Sequence, residues 1–198
     1  MVATKDSRAA FLVLIGAPAA PLGEVLQAQR AALAPHMGLG PGGAARSQTM
    51  FDHAMAAMQG AASDTEAQQR AAAVFLAEGK DLGMTPQSAA AAAAQVSSGW
   101  FRGLISYDPA PALRAVKVPI LAVTGSKDLQ VLADQNLPAL RAATRKNRDV
   151  TAVALPNLNH LLQTATTGAV GEYADIAETV APSALKLIGD WVAARTPR

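Results

Sequence analysis

Cysteine is absent from the 198 residues. That excludes disulfides, thiolate metal sites and a cysteine nucleophile, and it leaves the cellular compartment open. Aromatic residues are only 4% of the chain. A core must therefore come from close-packed helices of small residues, with Leu, Val and Ile filling between them. Charge of one sign is also scarce: the formal net charge is +2. The densest basic run, Arg141 to Arg148, is closed directly by Asp149. It reads as a solvated helix end, and no nucleic-acid partner is expected. No apolar stretch is long enough to span a bilayer, so no membrane partner is expected either. Lys5 and Arg8 precede the apolar run Phe11 to Ile15, but that run is short and Asp6 lies in the basic region. This is a poor signal peptide, and a cytoplasmic location is expected. His36 and His53 are spaced too far apart for a helical ligand pair, and no acidic cluster accompanies them. Neither a metal nor a cofactor is expected.

Apolar residues are plentiful, at 51%, and the length suits one domain with a sizeable core. Phe11 to Gly16 is a continuous apolar run ended by Gly16-Ala17-Pro18. Val118 to Thr124 is a second, closed by Gly125, and Asp149 to Leu155 is a third, ended by Pro156. Such runs read as strands buried on both faces of a parallel sheet. Between the first two lie about a hundred residues without a strand signal. Helices are expected over Leu22 to Leu33 and roughly 46–59, 64–78, 85–97 and 99–105, with a Gly/Pro loop from Pro35 to Gly43. The run Ala89 to Ala94 favours helix and carries no chemistry. Helices over about 133–145 and 182–195 would cover the sheet. The fold class is therefore α/β, with about three parallel strands flanked by helices. A helical block over 22–106 is too long for a single crossover and reads as a cap inserted into one domain, 1–198.

Two loops carry chemistry. The second strand runs into Gly125-Ser126-Lys127-Asp128-Leu129-Gln130-Val131, and the third into Leu155-Pro156-Asn157-Leu158-Asn159-His160. Active groups of open parallel sheets gather beyond the carboxyl ends of the strands. There Asp128 can orient the His160 imidazole and stabilise its charged form, leaving the imidazole to act as a general base. Strand–G-x-x-D, then strand–N-H, then a final amphipathic helix resembles the closing section of the α/β-hydrolase superfamily. Tyr107-Asp108-Pro109-Ala110-Pro111, Val116-Lys117-Val118-Pro119, Leu158-Asn159-His160-Leu161-Leu162-Gln163, Thr167-Gly168 and Glu172-Tyr173 sharpen the likeness to bacterial capped esterases of the dienelactone hydrolase group. The resemblance runs from Phe11 to Trp191. It implies a triad in the order Ser, Asp, His, with Asp128 and His160 as the last two.

The departure is the nucleophile. No G-x-S-x-G elbow occurs anywhere in the sequence, nor the oxyanion loop that precedes it. The resemblance implies a chain that starts just after the elbow. Ser126 on the acid loop, and Ser97, Ser98 and Ser106 in the helical block, are substitute serines to weigh against plain capping. Met50, Met55 and Met58 read as packing, with an apolar acyl pocket as the sharper alternative. Trp100-Phe101 and Trp191 read as packing anchors. A sheet that starts at Phe11 to Ile15 would leave that edge open, and a homo-oligomer covering it, or a helix sliding over it, is expected. Two readings remain. One is a hydrolase of small carboxylic esters, weak or altered for want of the serine. The other is a non-catalytic remnant that self-associates as a binding or assembly module.

Overall fold

The computed structural model describes residues 2–196. It divides the chain into two compact units, 1–29 with 108–198, and 30–107. The first holds a three-stranded parallel sheet: β1 (Leu12–Ile15), β2 (Ile120–Gly125) and β3 (Val150–Leu155), in the order β1-β2-β3. Leu12 lies opposite Ile120, and Ile120 opposite Val150.

Alternation along the strands feeds two apolar layers, because successive side chains point to opposite faces. On one face Leu121 and Val123 pack with Leu158, Leu162, Ala184 and Trp191. The last two belong to helix α8 (Pro182–Ala193). Trp191 meets Phe11 edge to face, with ring centroids 5.5 Å apart. On the other face Ala122 packs with Leu113, Leu137 and Leu140. Leu113 lies on the short helix α6 (Ala110–Arg114), and Leu137 and Leu140 on α7 (Ala133–Ala143). Each buried leucine contributes about 1.5–3 kcal/mol.

Burial differs from expectation at the flanks of the sheet. Only β2 is buried along its whole length. Among the described residues β1 and β3 have a neighbouring strand on one side alone, and their side chains stay partly open. Ile15 is 52% exposed.

The second unit is helical. It contains α2 (Pro41–Ala57), α3 (Asp64–Glu78), α4 (Pro86–Val96) and α5 (Gly99–Ile105). Helix α1 (Leu22–Leu33) runs across the unit boundary. Ala54, Ala67, Ala71 and Ala93 are fully buried against one another, with Met50, Met58 and Phe75 filling the spaces. Alanine lets helix backbones approach closely, and methionine adapts to the irregular gaps that remain. Met50 and Met58 are therefore buried in this core, and Met55 packs partly buried against it. Ser63 caps α3 by accepting from the Glu66 amide, and Thr85 forms a capping box with Ser88 at the start of α4.

Two expectations fail in this unit. The Gly/Pro loop is largely structured: Ala34–Met37 is a 3-10 turn, and α2 already begins at Pro41. Proline is preset for the first helical position, so it starts this helix and carries Gly42 and Gly43 into its first turn. Trp100 is no anchor and stands 73% exposed. It sits on a two-turn helix that fully buries none of its residues, which leaves no layer for it to pack beneath. Among the described residues no helix is long and apolar enough to cross a membrane.

Candidate active site

The site forms where β2 and β3 end side by side. Strand β2 closes on Gly125, and the chain turns at once, with the Asp128 amide donating to the Gly125 carbonyl at 3.2 Å. The Asp128 side chain folds back into the protein and is 3% exposed. A carboxylate this buried must be satisfied, and it is. Its Oδ1 accepts from the backbone amides of Gln130 (2.9 Å) and Val131 (2.8 Å). Its Oδ2 accepts from the Thr124 hydroxyl at 3.1 Å and lies 2.9 Å from His160 Nδ1. Sequence placed Asp128 and His160 on neighbouring loops, and the structure brings the two side chains into contact.

His160 is held by a second tight loop. Asn159 is fully buried. Its Oδ1 accepts from the amides of Leu161 and Gln163, and its Nδ2 donates to Gln163 Oε1. Leu158 bridges to Thr164. Leu162 is forced to a φ of +59°, a costly conformation for a leucine. Its side chain is 2% exposed in the core beside Trp191, and that burial offsets the strain.

Close approach fixes the two loops together. A Cβ on Gly125 would stand 2.0 Å from the Leu158 carbonyl oxygen. From the first strand, Gly16 reaches the site as well. Its φ is +51°, and a Cβ there would stand 2.9 Å from His160 Cε1 and 3.0 Å from Nδ1. Only glycine lets the end of β1 lie against the flank of the imidazole. The segment after β1 is tied down by Asn136 on α7, whose buried Oδ1 accepts from the amides of Ala19 (2.9 Å) and Ala20 (3.2 Å).

The Asp128 bond raises the His160 pKa above its usual 6.5, against the downward pull of burial. With Nδ1 facing the carboxylate, Nδ1–H is the favoured position of the neutral imidazole's proton. Nε2 then keeps its lone pair, and no hydrogen bond reaches Nε2 from the described residues. That arrangement can accept a proton from a hydroxyl or a water and return it later.

Three of the four substitute serines have their hydroxyls engaged elsewhere. Ser126 is exposed, and its hydroxyl accepts from the Asn157 amide at 2.9 Å, with no bond to His160. Ser98 caps α5 by accepting from the Phe101 amide. The Ser106 hydroxyl donates to the Arg102 carbonyl. Ser97 is buried at the end of α4, and its carbonyl accepts from Arg102. In the helical unit His53 pairs with Glu78 at 2.9 Å, and among the described residues no group of three His, Cys, Asp or Glu could hold a metal. Gly16, Thr124, Asn136 and the pair Gln130–Tyr173 are contributions that reading the residues one loop at a time did not isolate.

A parallel sheet with a buried acid after one strand and a histidine bonded to it after the next defines a protein of the α/β-hydrolase class. A sequence model of the prolyl oligopeptidase family, part of that clan, matches residues 69–179 and so includes both Asp128 and His160. The match covers more than half of the chain, and the chain belongs to that family. Comparison with curated protein sequences returns no match.

Proposed function

We propose that this chain supplies the acid and the base of an acyl-hydrolase site acting on small carboxylic esters. Asp128 orients and stabilises the imidazole, and His160 is the general base. The observation that carries this reading is the 2.9 Å contact between the buried Asp128 Oδ2 and the half-buried His160 Nδ1, with no hydrogen bond to Nε2 among the described residues. The hydroxyl that Nε2 activates is a water or a nucleophile from outside these residues. A water alone forgoes the covalent route, so turnover by this chain is weak. An oxyanion hole is worth about 10²–10³ in rate where it is lacking. The helical unit stands between β1 and β2 in chain order, where an inserted cap is expected, and we assign it that role. The family's name adds peptide amides to the acyl compounds worth assaying.

The test is hydrolysis of short-chain nitrophenyl esters by the purified chain beside His160→Ala and Asp128→Asn. Asparagine can still accept from the Gln130 and Val131 amides, but it turns an N–H toward Nδ1. The imidazole then takes the opposite tautomer, and Nε2 loses its lone pair. Turnover should disappear in His160→Ala and fall nearly as far in Asp128→Asn. Equal rates in all three proteins would remove the hydrolase reading.

One observation favours the second reading, a self-associating module. Among the described residues β1 has no strand on its outer side, and the exposed Ile15 lies on it. Such an edge accepts another strand. A second copy of the chain is the occupant proposed. Sedimentation that shows a monomer at every concentration, with the Val13 and Ile15 amides exchanging freely, would dismiss it.

A further inference from the structure

Thr124 carries the one polar side chain in β2, and it is 3% exposed. Alternation along the strand puts it on the face of Ala122, which packs against leucines of α7. A hydroxyl buried there costs free energy unless its proton finds an acceptor. Two acceptors are in reach, Asp128 Oδ2 at 3.1 Å and the Val131 carbonyl at 3.5 Å. The carboxylate is both nearer and charged, and charge-assisted bonds are the stronger ones, so the proton belongs to Oδ2.

That oxygen is also the one that faces the imidazole, 2.9 Å from His160 Nδ1. The other, Oδ1, is taken by the amides of Gln130 and Val131. A carboxylate offers about four acceptor sites, and here each of them has a donor. The two amides anchor Oδ1 without help from Thr124, so the hydroxyl is free to govern how much of Oδ2 is left for the imidazole. The other charged groups of these loops are spent elsewhere. Lys127 Nζ donates to the carbonyls of Ala165 (2.9 Å) and Thr166 (2.8 Å). The Glu172 carboxylate accepts from the amides of Thr167 (3.1 Å) and Gly168 (2.6 Å). The Tyr173 hydroxyl accepts from Gln130 Nε2 at 3.0 Å, and burial foremost holds this phenol above its usual pKa, so it stays neutral. Gly16 at the end of β1 and Asn159 on the histidine's own loop carry no charge. Asp128 is left as the charge that acts on His160.

We propose that Thr124 is a positioning residue, whose hydroxyl shares Asp128 Oδ2 with the imidazole and so sets the strength of the contact between acid and base. The proposal rests on the reading of Asp128 and His160 in those roles. Thr124 acts through Asp128 and is given no contact with substrate. With the hydroxyl in place, part of the negative charge on Oδ2 is spent on it. Without the hydroxyl, Oδ2 turns wholly to Nδ1 and favours the charged imidazole more strongly. Thr124→Val keeps the shape of the side chain and removes the donor. Thr124→Ser keeps the donor and removes a methyl group, so the pair separates hydrogen bonding from packing.

The experiment is nitrogen-15 NMR of the imidazoles through neutral pH, with His53 in the same spectra as an internal reference. In Thr124→Val, His160 should titrate about half a pH unit higher than in the wild type, the share of one hydrogen bond that passes through the carboxylate. Thr124→Ser should return it to the wild-type midpoint, and His53 should be unmoved in both. The midpoint of the pH–rate profile for ester turnover should rise with the titration in Thr124→Val, with KM little changed. A His160 midpoint that stays or falls in Thr124→Val, or moves equally in both variants, would overturn the proposal. The wild type supplies a second measurement that needs no variant to fold. Its Thr124 hydroxyl proton should shift as His160 titrates, because both protons sit on one oxygen. A hydroxyl proton that exchanges too fast to observe, or that ignores the titration, would also overturn it. If the wild type hydrolyses no ester, the hydrolase reading fails, and the NMR outcome still decides this one.

Discussion

Replacing Gly125 with alanine asks whether the close approach of the two loops is what keeps acid and imidazole together. The new Cβ would stand 2.0 Å from the Leu158 carbonyl oxygen, 2.5 Å from its carbon and 2.6 Å from the Asn159 oxygen. All three are main-chain atoms of the histidine loop, so no side-chain rotation relieves the overlap. Ordinary contact begins near 3.4 Å, and the loop would have to retreat by more than an ångström. That retreat breaks the 2.9 Å bond from the Lys127 amide to the Leu158 carbonyl and stretches the Asp128–His160 contact. Overpacking of this kind costs about 1–3 kcal/mol, and the lost backbone bond about 1 kcal/mol more. The expected loss is therefore about 2–4 kcal/mol, a large share of the ~5–15 kcal/mol that holds a domain together. Gly189→Ala is the control. Gly189 lies inside α8 with nothing near its missing Cβ, and alanine there should gain about 0.5–1 kcal/mol. Urea unfolding gives both values, and NMR of His160 reports the site. A Gly125→Ala protein with the wild-type urea midpoint and an intact His160 titration would refute the packing argument.

Gly16→Ala should act on the site more than on the fold. Its Cβ meets the imidazole rather than the core, the positive φ costs about 1–2 kcal/mol, and ester turnover should fall further than stability alone accounts for. Because the His160 pKa is raised on folding, its contribution to stability is fully present below about pH 6.5 and is lost as pH rises through the folded value. Urea midpoints of the wild type against His160→Ala should therefore diverge most on the acid side of neutrality, and a constant gap from acid to alkaline pH would contradict the assignment. By the same bond, turnover should rise with pH through a midpoint above 6.5, since Nε2 must be unprotonated to act as a base. Asn136→Ala strands the buried amides of Ala19 and Ala20. It should cost about 2–4 kcal/mol by denaturation, and a loss below about 0.5 kcal/mol would show that those amides find another partner.

Much of the fold is legible because its signals are local. Each strand is an apolar run stopped by glycine or proline, and α1 keeps the bounds Leu22–Leu33 that its pattern implies. What misled was punctuation whose meaning depends on position. Pro41 opens a helix, although Pro35 to Gly43 by composition is a loop. Burial was misread for a different reason. An apolar strand looks the same whether one or two neighbours flank it, and among the described residues the order β1-β2-β3 gives only β2 a strand on both sides.

The site divides along the same line. Asp128 and His160 follow from a rule of placement, loops after adjacent parallel strands, and that rule needs no coordinates. The groups that hold them there follow from contacts far apart in sequence. Asn136 reaches Ala19 across 117 residues, and Gln130 reaches Tyr173 across 43. Gly16 reads as the end of a strand until a Cβ is built on it and meets the imidazole. A buried carboxylate with four hydrogen-bond partners, two of them backbone amides, would hold its own place in a turn whether or not a histidine faced it. The imidazole has no such self-sufficiency. It is fixed by Gly16 on one flank, the Asn159 loop and the Asp128 bond at Nδ1, and among the described residues no hydrogen bond reaches Nε2. Fixing one nitrogen so firmly while leaving the other open is the arrangement that the proposed role of His160 as a proton-transferring base requires.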